Sequence, residues 1–175
     1  MEIRAMQPTE LDRMRDIDRS EEIRTAYVQK GNTIVAMDVH WDDSGWVEGD
    51  GDHSFDQMIR GAAHYLELGG TAFGAFDGDR LAGIAIYRPR LAETMAQLGL
   101  LHVSCEYRRQ RIASRLFAEV LRLARADGAT EMYVSATPTK SAVGFYTSKG
   151  FTPTATPDPQ LLAEEPDDIH MVLCL

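Results

Sequence analysis

Apolar residues along this chain recur at two spacings, and the switches between them mark out its elements. Ile112, Leu116, Val120 and Ala124 fall four apart, with Ala113, Phe117 and Leu121 beside them, which predicts an amphipathic helix stopped at Asp127-Gly128. Residues 55–68 read as a second helix, ended by Gly69-Gly70. A third carries Tyr146 and ends at Gly150; Thr137-Pro138 offers it an N-cap and a first-turn proline, and Thr139 is an alternative cap. Leu11, Met14 and Ile17, three apart behind Thr9 as a cap, predict a helix beginning near Glu10, and a second short helix is expected at about residues 20–30.

Strands show the other period. Residues 2–6 form a short one, and residues 33–41 alternate, with Val35, Met37, Val39 and Trp41 on one face and Asp38, His40 and Asp42 on the other. That pattern predicts a half-buried strand with a polar face. Residues 71–76 and 80–88 flank Asp77-Gly78-Asp79, a turn suited to an antiparallel hairpin. Residues 96–104 and 131–136 supply two more strands, Phe151 begins another, and a Pro-rich acidic connection leads to a last strand at 169–175.

A length of 175 residues suits one α/β domain, 1–175, burying roughly 70% of its unfolded surface. The first residues carry no basic-then-apolar leader, and no uncharged apolar run approaches the roughly 20 residues of a membrane span, so a cytoplasmic protein with no membrane partner is expected. Cys105 and Cys174 are isolated thiols without metal-like spacing, and no metal site is expected. A formal net charge of -9 opposes a nucleic-acid partner, because phosphate backbones repel such a surface.

Charge is unevenly placed. No Lys or Arg occurs between Gly31 and Ile59, where seven acids stand: Asp38, Asp42, Asp43, Glu48, Asp50, Asp52 and Asp56. Between Tyr107 and Arg115 there are four arginines and no acid. Arginines crowded at a helix start oppose the helix dipole unless an anion lies nearby, and the unpaired N–H groups of that first turn are themselves an anion site. A basic site for an anionic ligand, with an acidic segment for a cationic one, is a coherent arrangement, and a merely solvated acidic loop is the plain alternative. The spacings Asp38-x-His40-x-Asp42 and Glu48-x-Asp50-x-Asp52 lack the EF-hand order and its distant Glu.

Two segments then carry a resemblance. Arg108-Arg109-Gln110-Arg111-Ile112-Ala113 resembles the Gln/Arg-x-x-Gly-x-Gly/Ala pattern of the GCN5-related N-acetyltransferases (GNAT), with Arg111 where the family usually has glycine. Ala142, Phe145, Tyr146, Gly150 and Phe151 match the family's Ala-x-x-Phe-Tyr-x-x-x-Gly-Phe ending, with Thr139 where many members carry asparagine. With flanking strands the resemblance spans about residues 71–175. It implies a single GNAT-like α/β domain with a mixed, mostly antiparallel central sheet flanked by helices. It further implies acetyl-CoA as acetyl donor, with Leu101 and Val103 along the pantetheine arm, Val103 N–H as oxyanion donor, and Arg108, Arg109, Gln110, Arg111, Ile112, Ala113, Ser114 and Thr139 around the cofactor. Tyr146 is then the proton donor to the departing thiolate. Glycine at position 111 would let the backbone approach a phosphate and take positive φ; arginine is expected to remove that freedom.

The base that frees the acceptor amine is not evident. Gln97 and Gly99 occupy the expected strand positions and neither is basic; His102 should point to the opposite face from Val103 and pack there; His40 is the better candidate. The reading is direct transfer of acetyl to a primary amine in a ternary complex, the acceptor a small cationic or aromatic molecule held by Asp38, His40, Trp41, Asp42 and Trp46. Two alternatives stay open: acetylation of a protein lysine or N-terminal amine, and a non-catalytic acyl-CoA-binding module. A homodimer fits the resemblance, since paired subunits are common in the family.

Overall fold

Strands buried on both faces need a layer of helices on each side, and the central strands of this protein are of that kind. In the computed structural model, which describes residues 1–49, 51 and 53–175, β4 (Thr71–Asp77) and β5 (Arg80–Arg88) are buried along nearly their whole length. With β1 (Glu2–Ala5), β6 (Met95–Val103), β7 (Glu131–Ala136), β8 (Thr152–Pro153) and β9 (Ile169–Cys174) they form a seven-stranded sheet of order β1-β4-β5-β6-β7-β9-β8. Every neighbouring pair is antiparallel except β6 and β7. The mixed, mostly antiparallel α/β architecture is therefore as expected.

One face carries the 3-10 helix Pro8–Asp16 and α1 (Phe55–Glu67), where Leu11, Met14, Ile17 and Ala62 pack on Phe76, Leu81, Ile84 and Ile86. The other carries α2 (Ile112–Ala126) and α3 (Lys140–Ser148), where Leu116, Phe117, Val120, Val143 and Tyr146 pack on Phe73, Ala85, Leu98 and Val134. The caps are local: Ser54 Oγ accepts from Gln57 N at 3.2 Å, and Thr139 Oγ1 accepts from Ala142 N at 3.3 Å.

Three expectations need correction. The first helix is 3-10 and starts at Pro8 behind Gln7, whose N–H is held by Glu10 Oε2 at 2.8 Å, so Thr9 lies inside it. Residues 20–30 are not helical. Glu21–Lys30 is strand β2, paired antiparallel with β3 (Thr33–Asp43) as a separate two-stranded sheet. Its Glu, Arg, Ala, Gln and Lys favour a helix in isolation, but pairing with β3 overrides that preference. The alternation over 33–41 is real but its apolar side is not covered: Val35, Met37 and Trp41 are all exposed. The acidic connection also holds a helix the periodicity did not suggest, α4 (Pro159–Glu164), capped by Asp158 Oδ1 on Gln160 N and Leu161 N at 3.0 Å. Among the described residues no helix is long and apolar enough to cross a membrane, and no cluster of side chains suits a metal.

Candidate functional site

The two parallel strands make the site by separating. β6 meets β7 only from Met95–Gln97 to Glu131–Tyr133. Beyond that, β7 stays with β9 as far as Ala136–Ile169, while β6 stays with β5 as far as Val103–Gly83. The result is a wedge whose β6 side, Leu98 to Val103, has no strand paired with it. Gly99 is the extra residue of a β-bulge there, since Leu98 and Leu100 oppose the consecutive residues Tyr87 and Ile86. A Cβ on Gly99 would lie 2.7 Å from Tyr65 Cζ, so glycine is what lets the α1 tyrosine pack flat against the bulge. Leu101 and Val103 lean toward the α2 layer.

At the open end of β6, the chain turns through Cys105–Tyr107 into the first turn of α2. Arg109 (φ 62°) and Arg111 (φ 63°) both adopt the left-handed conformation, with Gln110 between them. The expectation that arginine forgoes a glycine-like backbone at position 111 is thus wrong: the loop takes that shape and accepts the cost, about 1–2 kcal/mol for a residue with a Cβ. Alternating conformations of this kind turn successive N–H groups to one side, and the free N–H groups of a helix start add to them. Arg109, Gln110 and Arg111 are exposed there, Ala113 and Ser114 are half-buried, and Ile112 is a core residue.

Arg108 turns away from that cradle. Its Nη2 donates to Arg19 O at 2.9 Å, its Nε to Val103 O at 3.4 Å, and its Nη1 lies 3.7 Å from Glu21. Lys149, which sequence reasoning missed, brings a cation to the cradle instead, with Nζ donating to Ser114 Oγ at 2.9 Å. The one signal for it was its place as the sole charge between Val143 and Phe151.

Tyr146 stands across the wedge on α3, 6% exposed, between the rings of Phe145 and Phe151, with centroids 5.4 Å away in both cases. Its hydroxyl makes no hydrogen bond among the described residues. Burial first, and the charge of Asp168 second, push the phenol above its ordinary range, so it holds its proton firmly until a strong base appears beside it. Thr139 is a buried cap, bonded to Ser141 Oγ at 3.0 Å and bridged to Ala26 of β2.

The expected acceptor residues separate into two groups. Trp46 is 5% exposed and packs edge-on to His102 (centroids 4.8 Å) and Phe55 (5.9 Å). A cavity of 280 Å³ lies beside it, lined among others by Arg15, Arg19, Ser44 and Phe55. His102 does point away from Val103, and burial, with Arg19 and Arg108 nearby, pushes its imidazole down to about 3, so it stays neutral. Asp38, His40, Trp41 and Asp42 remain on the exposed hairpin, where His40 meets Arg24 at 3.3 Å, and among the described residues no side-chain hydrogen bond, ion pair or ring contact ties them to the wedge. Much of the acidic segment is neutralised from within: Asp43 pairs with Arg19, and Glu48 and Asp56 pair with Arg15. Asp50 and Asp52 lie outside the described residues.

β2 bridges the two arms of the wedge. Near its start Cys105 N donates to Asp18 O at 2.7 Å, and Arg108 reaches Arg19 and Glu21, all at the β6 end. Glu21 also accepts from Ser141 Oγ at 2.9 Å, and farther along Tyr27 N donates to Pro138 O at 2.9 Å and His170 N to Gln29 Oε1 at 2.7 Å, all on the β7–β9 side.

Residues 45–172 match the family model described as an acetyltransferase (GNAT) domain. No curated protein matches the chain by sequence. Among solved structures, a nourseothricin acetyltransferase superposes with a TM-score of 0.71 at 18% identity, over 99% of this chain and 97% of its own. A Bacillus anthracis strain Ames protein described as a streptothricin acetyltransferase, solved with acetyl coenzyme A, gives 0.68 at 17% over 99% of both chains. An aminoglycoside 6'-N-acetyltransferase solved with coenzyme A gives 0.55 at 18%, over 71% of this chain and 81% of its own.

Proposed function

Because the chain belongs to the GNAT family of acetyltransferases, which take their acetyl group from acetyl-CoA, we propose that it delivers that group directly, in a ternary complex, to the primary amine of a small cationic or aromatic acceptor. The observation that carries the choice of a small acceptor is the β2 bridge. Segment 18–29 is bonded to both arms of the wedge, so an acceptor reaches the β6 bulge beneath a strand rather than through an open groove. The streptothricin and aminoglycoside names of the structural neighbours agree with that class.

The residues present fit the donor. Free N–H groups at the start of α2, the paired left-handed turns at Arg109 and Arg111, and Lys149 form a cradle for the pyrophosphate. The unpaired β6 edge from Leu98 to Val103 can bond an extended pantetheine arm as a missing strand would, with Val103 N–H toward the thioester oxygen. Bound there, acetyl-CoA supplies an activated acyl group and a thiolate leaving group. Tyr146, on the opposite arm with a hydroxyl that makes no hydrogen bond among the described residues, supplies the proton that leaving group needs. Burial makes the free phenolate costly, so the proton passes late, to a neighbour already anionic.

Thiol release from acetyl-CoA, followed with streptothricin, an aminoglycoside, spermidine and a lysine-containing peptide, tests the reading. Turnover of the small amines is expected, and Tyr146→Phe should lower kcat roughly 10²-fold or more while the Kd of acetyl-CoA stays within about threefold. Turnover of the peptide alone would transfer the acceptor to proteins. Acetyl-CoA binding with no amine acetylated would leave a binding module.

A further inference from the structure

The acceptor amine reaches a GNAT enzyme as an ammonium at neutral pH, and something must hold and deprotonate it. The β6 positions nearest the bulge, Gln97 and Gly99, offer no base, and His102 is neutral and turned into the Trp46 wall. An acid that does stand beside the site is Asp168, immediately before Ile169, the residue paired with Ala136 at the open end of β7; Glu21, the acid that spans the two arms, is already taken by Arg108 and Ser141. Its backbone is held by a turn, with Asp168 N donating to Glu165 O at 3.2 Å. Its side chain is half-buried, and among the described residues it accepts no hydrogen bond and pairs with no cation. A carboxylate withdrawn from water without a donor or counter-charge is costly, and such groups are ordinarily paired.

The surroundings say what is missing. From the turn, Glu165 and Asp167 add negative charge; from α3, Tyr146 presents its phenol; from the segment before β2, Arg19 is the one cation within reach, and it is already committed to Asp43. Asp168 therefore lies within electrostatic reach of the leaving group's proton donor, with net negative charge around it. An incoming ammonium is the counter-ion this arrangement lacks.

We propose that Asp168 binds the acceptor's ammonium and takes its proton, making it the general base of the reaction. The inference rests on the reading under Proposed function. Asp168 removes one proton from the ammonium and passes it to solvent, leaving the nitrogen a free electron pair. That pair forms the new C–N bond as the thioester C–S bond breaks. Tyr146 gives its proton to the departing sulfur, and the second proton lost by nitrogen restores the phenol, so the cycle releases one proton overall. Burial and the neighbouring acids push the Asp168 carboxyl up to about 7, which suits a base working near neutrality.

Asp168→Asn, nearly isosteric, tests this with three readouts. Acetyl-CoA affinity by calorimetry should change less than about threefold, showing an intact donor site. With streptothricin as probe amine, kcat/KM of the wild type should fall roughly tenfold per pH unit below about pH 7; the variant should lose roughly 10²-fold or more and that acidic limb with it. In carbon-13 NMR, a carboxyl resonance present in the wild type and missing from the variant should titrate near 7 and move to lower pH on addition of the amine. An acidic limb that persists in the variant, or a carboxyl titrating near 4, overturns the proposal. If the wild type acetylates no amine, the enzyme reading fails separately, and the carboxyl titration still decides Asp168.

Discussion

Replacing Arg111 with glycine should make this protein more stable, although it deletes a side chain and introduces the most flexible residue. Arg111 sits at the N-cap of α2 with φ 63° and ψ 15°, and its side chain caps nothing. A side chain in that conformation costs about 1–2 kcal/mol, which glycine does not incur. Against this, glycine raises the conformational entropy of the unfolded chain, at a cost of about 0.4–1 kcal/mol. Removing a cation from the positive end of the helix returns about 0.3 kcal/mol or more. The net expectation is a gain of about 1 kcal/mol, or a Tm about 2–4 °C higher for a chain of this size. Denaturant unfolding without ligand measures the first part. Calorimetry with acetyl-CoA measures the second: if peptide N–H groups hold the pyrophosphate, Kd should move by less than about threefold, whereas a charged hydrogen bond from the guanidinium would cost about 1.5–3 kcal/mol, at least tenfold. A variant less stable than the wild type would refute the strain argument. A tenfold loss of affinity would refute the backbone cradle. Arg109→Gly, at φ 62° in the same loop, should repeat the stability result.

Gly99→Ala should cost about 1–3 kcal/mol and impair turnover, because its methyl would meet the Tyr65 ring at 2.7–2.9 Å and force either the tyrosine or the bulge to move; unchanged unfolding and kcat would show that the bulge tolerates a side chain. Asp168 also makes stability depend on pH. Its folded value near 7 lies above the unfolded value near 3.9, so the native state binds more protons between the two; the contribution is full below about pH 4 and is lost as pH rises through 7. Asp168→Asn should accordingly stabilise the protein at pH 8, by roughly 2 kcal/mol after allowance for the partial exposure of the carboxyl, and leave it unchanged near pH 4. Equal Tm differences at the two pH values would show that the carboxyl is not perturbed.

Where a signal was local, the residues alone were sufficient. The four-residue spacing of Ile112, Leu116, Val120 and Ala124 and the stop at Asp127-Gly128 describe α2 to within a residue, and Asp77-Gly78-Asp79 joins the hairpin it was expected to join. The Asp158-Pro159 start of α4 was legible in kind, a cap and a first-turn proline, but too short for its apolar period to show. The segment from Glu21 to Lys30 was misread because its composition favours a helix, while its strand is held by the adjoining β3 and by Pro138 and His170, which are remote in sequence.

Sequence by itself determined the GNAT-like domain, its order of central elements, the loop at the start of α2 and the tyrosine on α3, since these rest on patterns within one helical turn or one strand. Only the tertiary structure decided how those parts act together. The divergence of β6 from β7, the internal pairing of the acidic segment and the surroundings of the Asp168 carboxylate depend on contacts between residues tens of positions apart, and the left-handed backbone of Arg111 is visible only in the folded chain. A side chain's partner and burial, and so its charge state, are properties of the packed chain, and no spacing along the sequence encodes them.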